Sequence, residues 1–308
     1  MSKNQREFLR CGLLGAEALP GTKTILILFL ALMAAGPMSA RARAQMPMDP
    51  FFTAINYPEP KGHGMLMFLP DFQVAQQGND FITEMGMAEY GVTSRWTVGA
   101  MAEGQKISGL PGTFGGLRFN TYLQLFPRDR WLHFTVYGEY EDLNAAALYK
   151  MEVSGFGGED LTGPLAVARR TAAHTFEQRA IVYHDWGRLN VTFNFISETN
   201  LQNGENDFGY AWGIYREARW MGMRMAGEAQ MAAPPPLSLR RLGVGLEMIG
   251  ALGNAHHFGF YWHREQQYVG PVFGYQISRR WSVRLEPAFG LSAVSDPLVL
   301  RVGVGCSF

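Results

Sequence analysis

The stretch from Trp281 to Phe308 constrains this chain more than any other. Trp281, Val283, Leu285, Pro287 and Phe289 fall on one side of an extended backbone, and Ser282, Arg284, Glu286 and Ala288 on the other. A break at Ser295, Asp296 and Pro297 follows. Leu298, Leu300, Val302, Val304, Cys306 and Phe308 then oppose Val299, Arg301, Gly303, Gly305 and Ser307. Strict period two in both arms makes a β-hairpin with one wholly apolar face, because successive side chains of a strand point to opposite faces of its sheet. That face must meet either a protein core or lipid, and the rest of the sequence decides which.

The 308 residues are 47% hydrophobic and 18% charged. No segment beyond the leader approaches the roughly 20 consecutive apolar residues of a membrane helix. The apolar content is instead dispersed in alternation, and 36 glycines suit tight turns and close-packed strands. Basic and acidic residues balance at 27 each, which excludes the basic footprint of a nucleic-acid-binding protein. The two cysteines are Cys11, in the leader, and Cys306, a small hydrophobe on the apolar face of the last strand.

Lys3, Arg6, Arg10 and Lys23 precede the apolar run from Ile25 to Ala35, and Ala42, Arg43 and Ala44 supply a small-residue site. This pattern predicts a secretory signal over residues 1–44, with a retained anchor as the alternative. Residues 45–61 read as an extended, proline-interrupted lead-in in the periplasm, and residues 62–308 as the folded unit.

From residue 62 onward an alternating run recurs, each ended by a break, and the breaks are of two kinds. Short ones lie at 93–96, 127–131, 185–188, 217–220 and 278–281, and most lead into an aromatic. Longer polar or glycine-rich ones lie at 76–80, 105–115, 145–173, 200–207, 232–238, 265–270 and 292–297. Alternating short and long connections belong to a transmembrane barrel, and Trp96, Trp131, Trp220 and Trp281 then fall at one height as an interfacial girdle. Fourteen strands are predicted, at 62–74, 81–92, 94–104, 116–127, 131–143, 174–185, 188–199, 207–216, 219–231, 239–250, 256–264, 270–278, 280–291 and 298–308. Twelve or sixteen stay open, since the first two runs are the weakest: the stretch from His63 to Phe72 is apolar on both faces and contains Pro70. The fold class expected is all-β: a transmembrane, antiparallel, up-and-down β-barrel.

With the apolar faces outward, the inward face carries Arg118, Arg179, Arg188, Arg224, Arg241, Arg284 and Arg301, together with His133. Against them stand Glu139, Glu141, Glu177, Glu198, Glu228, Glu247 and Glu286. Seven against seven predicts a salt-bridged lumen lining of weak selectivity, because a strongly selective pore shows a one-sided wall.

From residue 62 on, the pattern resembles bacterial outer-membrane β-barrels, and the last strand, Leu298 to Phe308, is similar to the carboxyl-terminal signal they present to the barrel-assembly machinery. Fourteen strands would be similar to monomeric porins and to hydrocarbon-uptake channels, including the transporter-like proteins of meta-pathway phenol degradation. The resemblance implies outer-membrane lipid as surroundings and a passive channel for a small solute, with no cofactor. A non-conducting structural or copper-linked barrel is the alternative, and a barrel enzyme stands third.

Other chemistry is less well supported. Ser154, Glu159, Asp160 and His174 could form a hydrolytic set only if folding brought them within hydrogen-bond reach. His184-Asp185 reads as a rim pair at a turn. Met221, Met223 and Met225 share one face at i, i+2 and i+4, a spacing at which thioethers could bind copper(I), but on this register that face meets lipid. His256 and His257 would point to opposite faces of a strand and could not chelate together. The long break 145–173 reads as a lid over the barrel mouth or as a solvated loop.

Overall fold

The structure, a computed structural model, describes residues 58–76, 79–126, 131–144, 173–216, 238–278 and 280–308. Twelve strands follow one another: β1 (Gly64–Val74), β2 (Phe81–Thr93), β3 (Trp96–Ile107), β4 (Thr113–Gln124), β5 (His133–Leu143), β6 (Ala173–Trp186), β7 (Leu189–Asn200), β8 (Asn206–Arg216), β9 (Leu242–Asn254), β10 (Gln267–Gln276), β11 (Trp281–Gly290) and β12 (Leu298–Ser307). Each pairs antiparallel with its sequence neighbours, and β12 returns to β1, so the sheet closes without an edge. At the seam Gly64 N–H donates to the Phe308 carbonyl at 3.0 Å, and Phe308 N–H donates to that of Gly64 at 2.9 Å. The Phe308 ring lies over Gly64, where a Cβ would come within 2.5 Å of it.

The number of strands is twelve, not fourteen, and two expected segments account for the difference. Residues 219–231, with Trp220 and the three methionines at 221, 223 and 225, lie outside the described residues. β8 pairs directly with β9, so the ring closes without them. Residues 256–264 are described, and they are not a strand. Gly253 takes a φ of 79°, and the Asn254 side chain accepts from the backbone N–H groups of His256 and His257 at 3.0 Å each, which turns the chain out of the sheet. His256 and His257 therefore sit in a loop. Phe258 then packs on the outward rings of Phe195 and Phe208, and Phe260 on Tyr210, with centroids 5.2 to 6.5 Å apart. The aromatic alternation that reads as a strand serves a flap laid on the outer wall.

Losing two strands keeps the count even, so the first strand begins and the last strand ends at one rim. β2, β4, β6, β8 and β10 also end at that rim, the short-turn rim after its two-residue turns at 94–95 and 187–188, whereas β1, β3, β5, β7, β9 and β11 end at the other. Trp96, Trp131, Trp186 and Trp281 are all exposed at the short-turn rim. Between the rims the two faces separate cleanly. On β4, Arg118, Asn120, Tyr122 and Gln124 are buried while Leu117, Phe119 and Leu123 are exposed; on β11, Ser282, Arg284, Glu286 and Ala288 are buried behind Trp281, Leu285 and Phe289. A closed sheet that is polar within and apolar without is an inside-out barrel, whose outer face suits lipid.

Candidate functional site: the barrel interior

Three sectors line the interior. The first spans β4 to β8 and is charged. Arg118 lies among three carboxylates: Nη2 is 3.1 Å from Glu103 on β3, and Nη1 is 3.3 Å from Glu139 and also contacts Glu141. Tyr137 donates to Glu139 at 2.6 Å, Thr175 to Glu141 at 2.9 Å and Gln105 to Glu103 at 2.5 Å, so the network is hydrogen-bonded as buried charge requires. On β6, Arg179 holds Glu177 through Nε at 2.6 Å and Nη2 at 3.1 Å. Register adds a further feature. Glu139 pairs with Glu177, Glu177 with Glu198, and Glu198 with Asp207, so four acidic side chains stand directly opposite one another on four neighbouring strands.

The second sector runs from β7 through β12. Ile196, Ala211, Ile249, Tyr268, Ala288 and Val299 form one buried apolar band, one residue per strand. Beside it Arg301 grips Asp71 with Nε at 2.6 Å and Nη2 at 2.5 Å, opposite Glu286 in register, and the Tyr215 hydroxyl donates to Glu247. The Tyr215 ring fills the space left by Gly213 and Gly245, at either of which a Cβ would collide with it.

The third sector, β1 to β3, is built of thioethers. Met65, Met67, Met85, Met87 and Met101 are all buried in one cluster, with Leu69 packed against it. They share the inner face with Asp71 and Gln73 on β1 and with Glu89 and Glu103 on β2 and β3.

Both ends are dressed by chain. At the short-turn rim Glu59, buried, donates its backbone N–H to Thr97 Oγ1 at 2.8 Å, and residues 59 and 60 press on Gly91, where a Cβ would clash with their carbonyls. The end of the lead-in thus tucks against the inner wall. At the other rim Asp296 reaches the Gln73 side chain, accepts from Gln76 N–H at 2.8 Å and donates its own N–H to the Tyr268 hydroxyl at 3.1 Å.

Among the residues predicted to line the lumen, Arg118, His133, Glu139, Glu141, Glu177, Glu198, Glu247, Arg284, Glu286 and Arg301 are buried on inward strand faces, and Arg179 is half-buried there. Arg241 is buried in a single 3-10 turn, Leu239–Arg241, before β9, where Nη1 donates to the Gln276 carbonyl at 3.2 Å. Arg188 is half-buried in the β6–β7 turn and not on a strand. Arg224 and Glu228 lie outside the described residues. The expected balance of charge does not hold among the described residues. Asp71, Glu89, Glu103 and Asp207 join the acidic side, so the inner strand faces carry ten buried carboxylates against Arg118, Arg179, Arg284 and Arg301. Extending period two through β1, β2 and β3 would have found the first three. Their apolar neighbours hid them.

Of the hydrolytic candidates only His174 is among the described residues. His174 Nδ1 lies 2.9 Å from the Tyr140 hydroxyl and 3.5 Å from Asp142 on the exposed outer face, and Ser154, Glu159 and Asp160 lie outside the described residues, as does all of the proposed lid but Ala173. His184 contacts the Trp131 carbonyl, and Asp185 accepts from Asn190 at 2.7 Å, both at the short-turn rim. No helix among the described residues is long and apolar enough to cross a membrane.

No protein-family description matches the sequence, and neither does any curated protein. Solved structures do match in fold. An outer-membrane channel from Pseudomonas putida F1 aligns with a TM-score of 0.51 at 11% identity, covering 85% of this chain and 100% of that one. The KdgM porin aligns at 0.49 with 8% identity over 79% of this chain and 99% of its own, and the CymD monoaromatic hydrocarbon channel at 0.39 with 11% identity over 80% and 89%. The chain has the closed, antiparallel barrel fold found in bacterial outer-membrane channels.

Proposed function

We propose that this chain is a narrow passive channel of the bacterial outer membrane that admits small neutral and cationic solutes and disfavours anions. The observation that carries this reading is the acidic excess on the inner strand faces, with Glu139, Glu177, Glu198 and Asp207 in one row. A wall of one sign raises the local concentration of the opposite charge and repels its own. The apolar exterior and the rim tryptophans support a membrane position, and a leader at 1–44 would deliver the chain there. The short-turn rim then faces the periplasm, and Phe308 at the seam is the element offered to the assembly machinery. The reading is of a conduit and not an enzyme. Buried side chains fill much of the interior, so the pathway is narrow. Reconstitution into a planar bilayer with a salt gradient tests it. A small conductance with a reversal potential of cation-selective sign is expected. An anion-selective sign overturns the selectivity, and absence of conductance favours the non-conducting barrel.

A further inference from the structure

We infer that the inner wall of β1 to β3 holds a binding site for a soft monovalent cation of the copper(I) class, with Met67, Met87 and Met101 as its ligands. Met67 pairs with Met87 and Met87 with Met101, so three thioethers lie side by side on three adjacent strands and on one face. Directly opposite positions on neighbouring strands place Cβ atoms about 4.5 to 5.5 Å apart, within reach of one another for an unbranched side chain with three torsions. Met65 and Met85 complete the cluster on either side of the row, so five sulfur-bearing side chains are buried together. A greasy wall needs no sulfur, and leucine or isoleucine would fill the same volume with less conformational freedom.

The surroundings select the sign and the softness of the ion. Met65 faces Glu89 in register and Met85 faces Glu103, which places negative charge on both flanks. Those carboxylates are engaged by other donors: Glu89 accepts from Tyr122 at 3.3 Å and Asn120 at 3.4 Å, and Glu103 from Gln105 and Arg118. Hard cations would compete for oxygen already in use, whereas thioether sulfur is a soft ligand that favours copper(I) over calcium or magnesium. These are not the methionines that sequence spacing singles out, Met221, Met223 and Met225, which lie outside the described residues.

The test is a titration of the purified full-length barrel in detergent with silver(I), a redox-inert ion of the same class, followed by copper(I) in competition with a chromophoric chelator. Stoichiometric uptake is expected for the native chain and for Met248→Leu on the outer face. Binding weakened by roughly ten-fold or more is expected for the triple variant M67L/M87L/M101L, with a partial loss for Met87→Leu alone. Leucine preserves volume, so the variants keep the packing, and heat-modifiable migration on gels checks that each is folded. No uptake by the native chain, or equal uptake by the triple variant, overturns the inference. Conductance does not enter this measurement, so its failure leaves the channel reading untouched.

Discussion

The β1–β3 wall and the β4–β8 wall belong to one sheet and obey one period, yet they fill the same interior by opposite means. Met65, Met67, Met85, Met87 and Met101 satisfy one another by contact alone, with no geometry to meet beyond volume. Arg118 and its three carboxylates are stable only as a set, because each buried charge is compensated by the others. The acidic row adds a feature that stability alone does not favour, since like charges directly opposite on paired strands repel. Packing is enough to hold the first wall together, whatever ion its sulfurs take up; the second retains a repulsion whose natural use is an electrostatic field in the lumen.

The contrast is broken most severely at Arg118. Arg118→Met removes the guanidinium and leaves Glu103, Glu139 and Glu141 buried together, for which a loss of about 3 to 5 kcal/mol is expected. Urea unfolding of the reconstituted barrel measures it, and a loss under about 1 kcal/mol, the range of exposed pairs, would mean that the cluster is solvated. On the thioether wall the cost should follow volume and not chemistry. Met87→Ala opens a cavity and is expected to cost about 2 to 5 kcal/mol. Met87→Leu should cost less than about 1.5 kcal/mol in the same assay. Equal losses for the two substitutions would show that the sulfur itself, and not its bulk, holds the wall together.

The same division decides what the sequence reveals. β4, β5, β7, β11 and β12 alternate polar and apolar residues, so their faces, down to Arg284 and Glu286, are legible from the residues alone. β1 sets Met65, Met67 and Leu69 inward and Leu66 and Phe68 outward, β2 sets Phe81, Met85 and Met87 inward and Ile82 and Ala88 outward, and β3 adds an inward Met101, which masks period two and hides Asp71, Glu89 and Glu103 as lumen residues. The flap 255–266 misleads for the converse reason. Its Phe258, Phe260 and Trp262 alternate as a strand does, and only the left-handed Gly253 and the capping Asn254 show that the chain leaves the sheet. The acidic row is beyond sequence reasoning, because it rests on the register of three successive strand pairs.

A milder change sharpens the same contrast. Glu198→Gln keeps the shape of a buried side chain in the middle of the acidic row while removing one charge from it. Relief of repulsion should stabilise the barrel by about 0.2 to 1 kcal/mol, the scale of a cross-strand pair. Cation selectivity in the bilayer should fall at the same time. A destabilised variant with unchanged reversal potential would turn the row into structural filling and remove the field from the account of function.

The smallest effect is expected at Glu265, which belongs to neither wall. It lies in the 255–266 connection, is buried, and stands beside Gly253 of β9. Burial raises its carboxyl above the ordinary carboxylate range, because desolvation penalises the charged form. The native state therefore holds this proton more tightly than the unfolded chain. Its contribution to stability is complete below the unfolded value, about 4.3, and is lost as pH rises through the elevated native value. Urea midpoints of the native chain, relative to Glu265→Gln, should thus decline across that window, since glutamine cannot titrate. The opposite slope would mean that a cation holds Glu265 ionised, and would extend the ion pairing of the charged wall to the mouth.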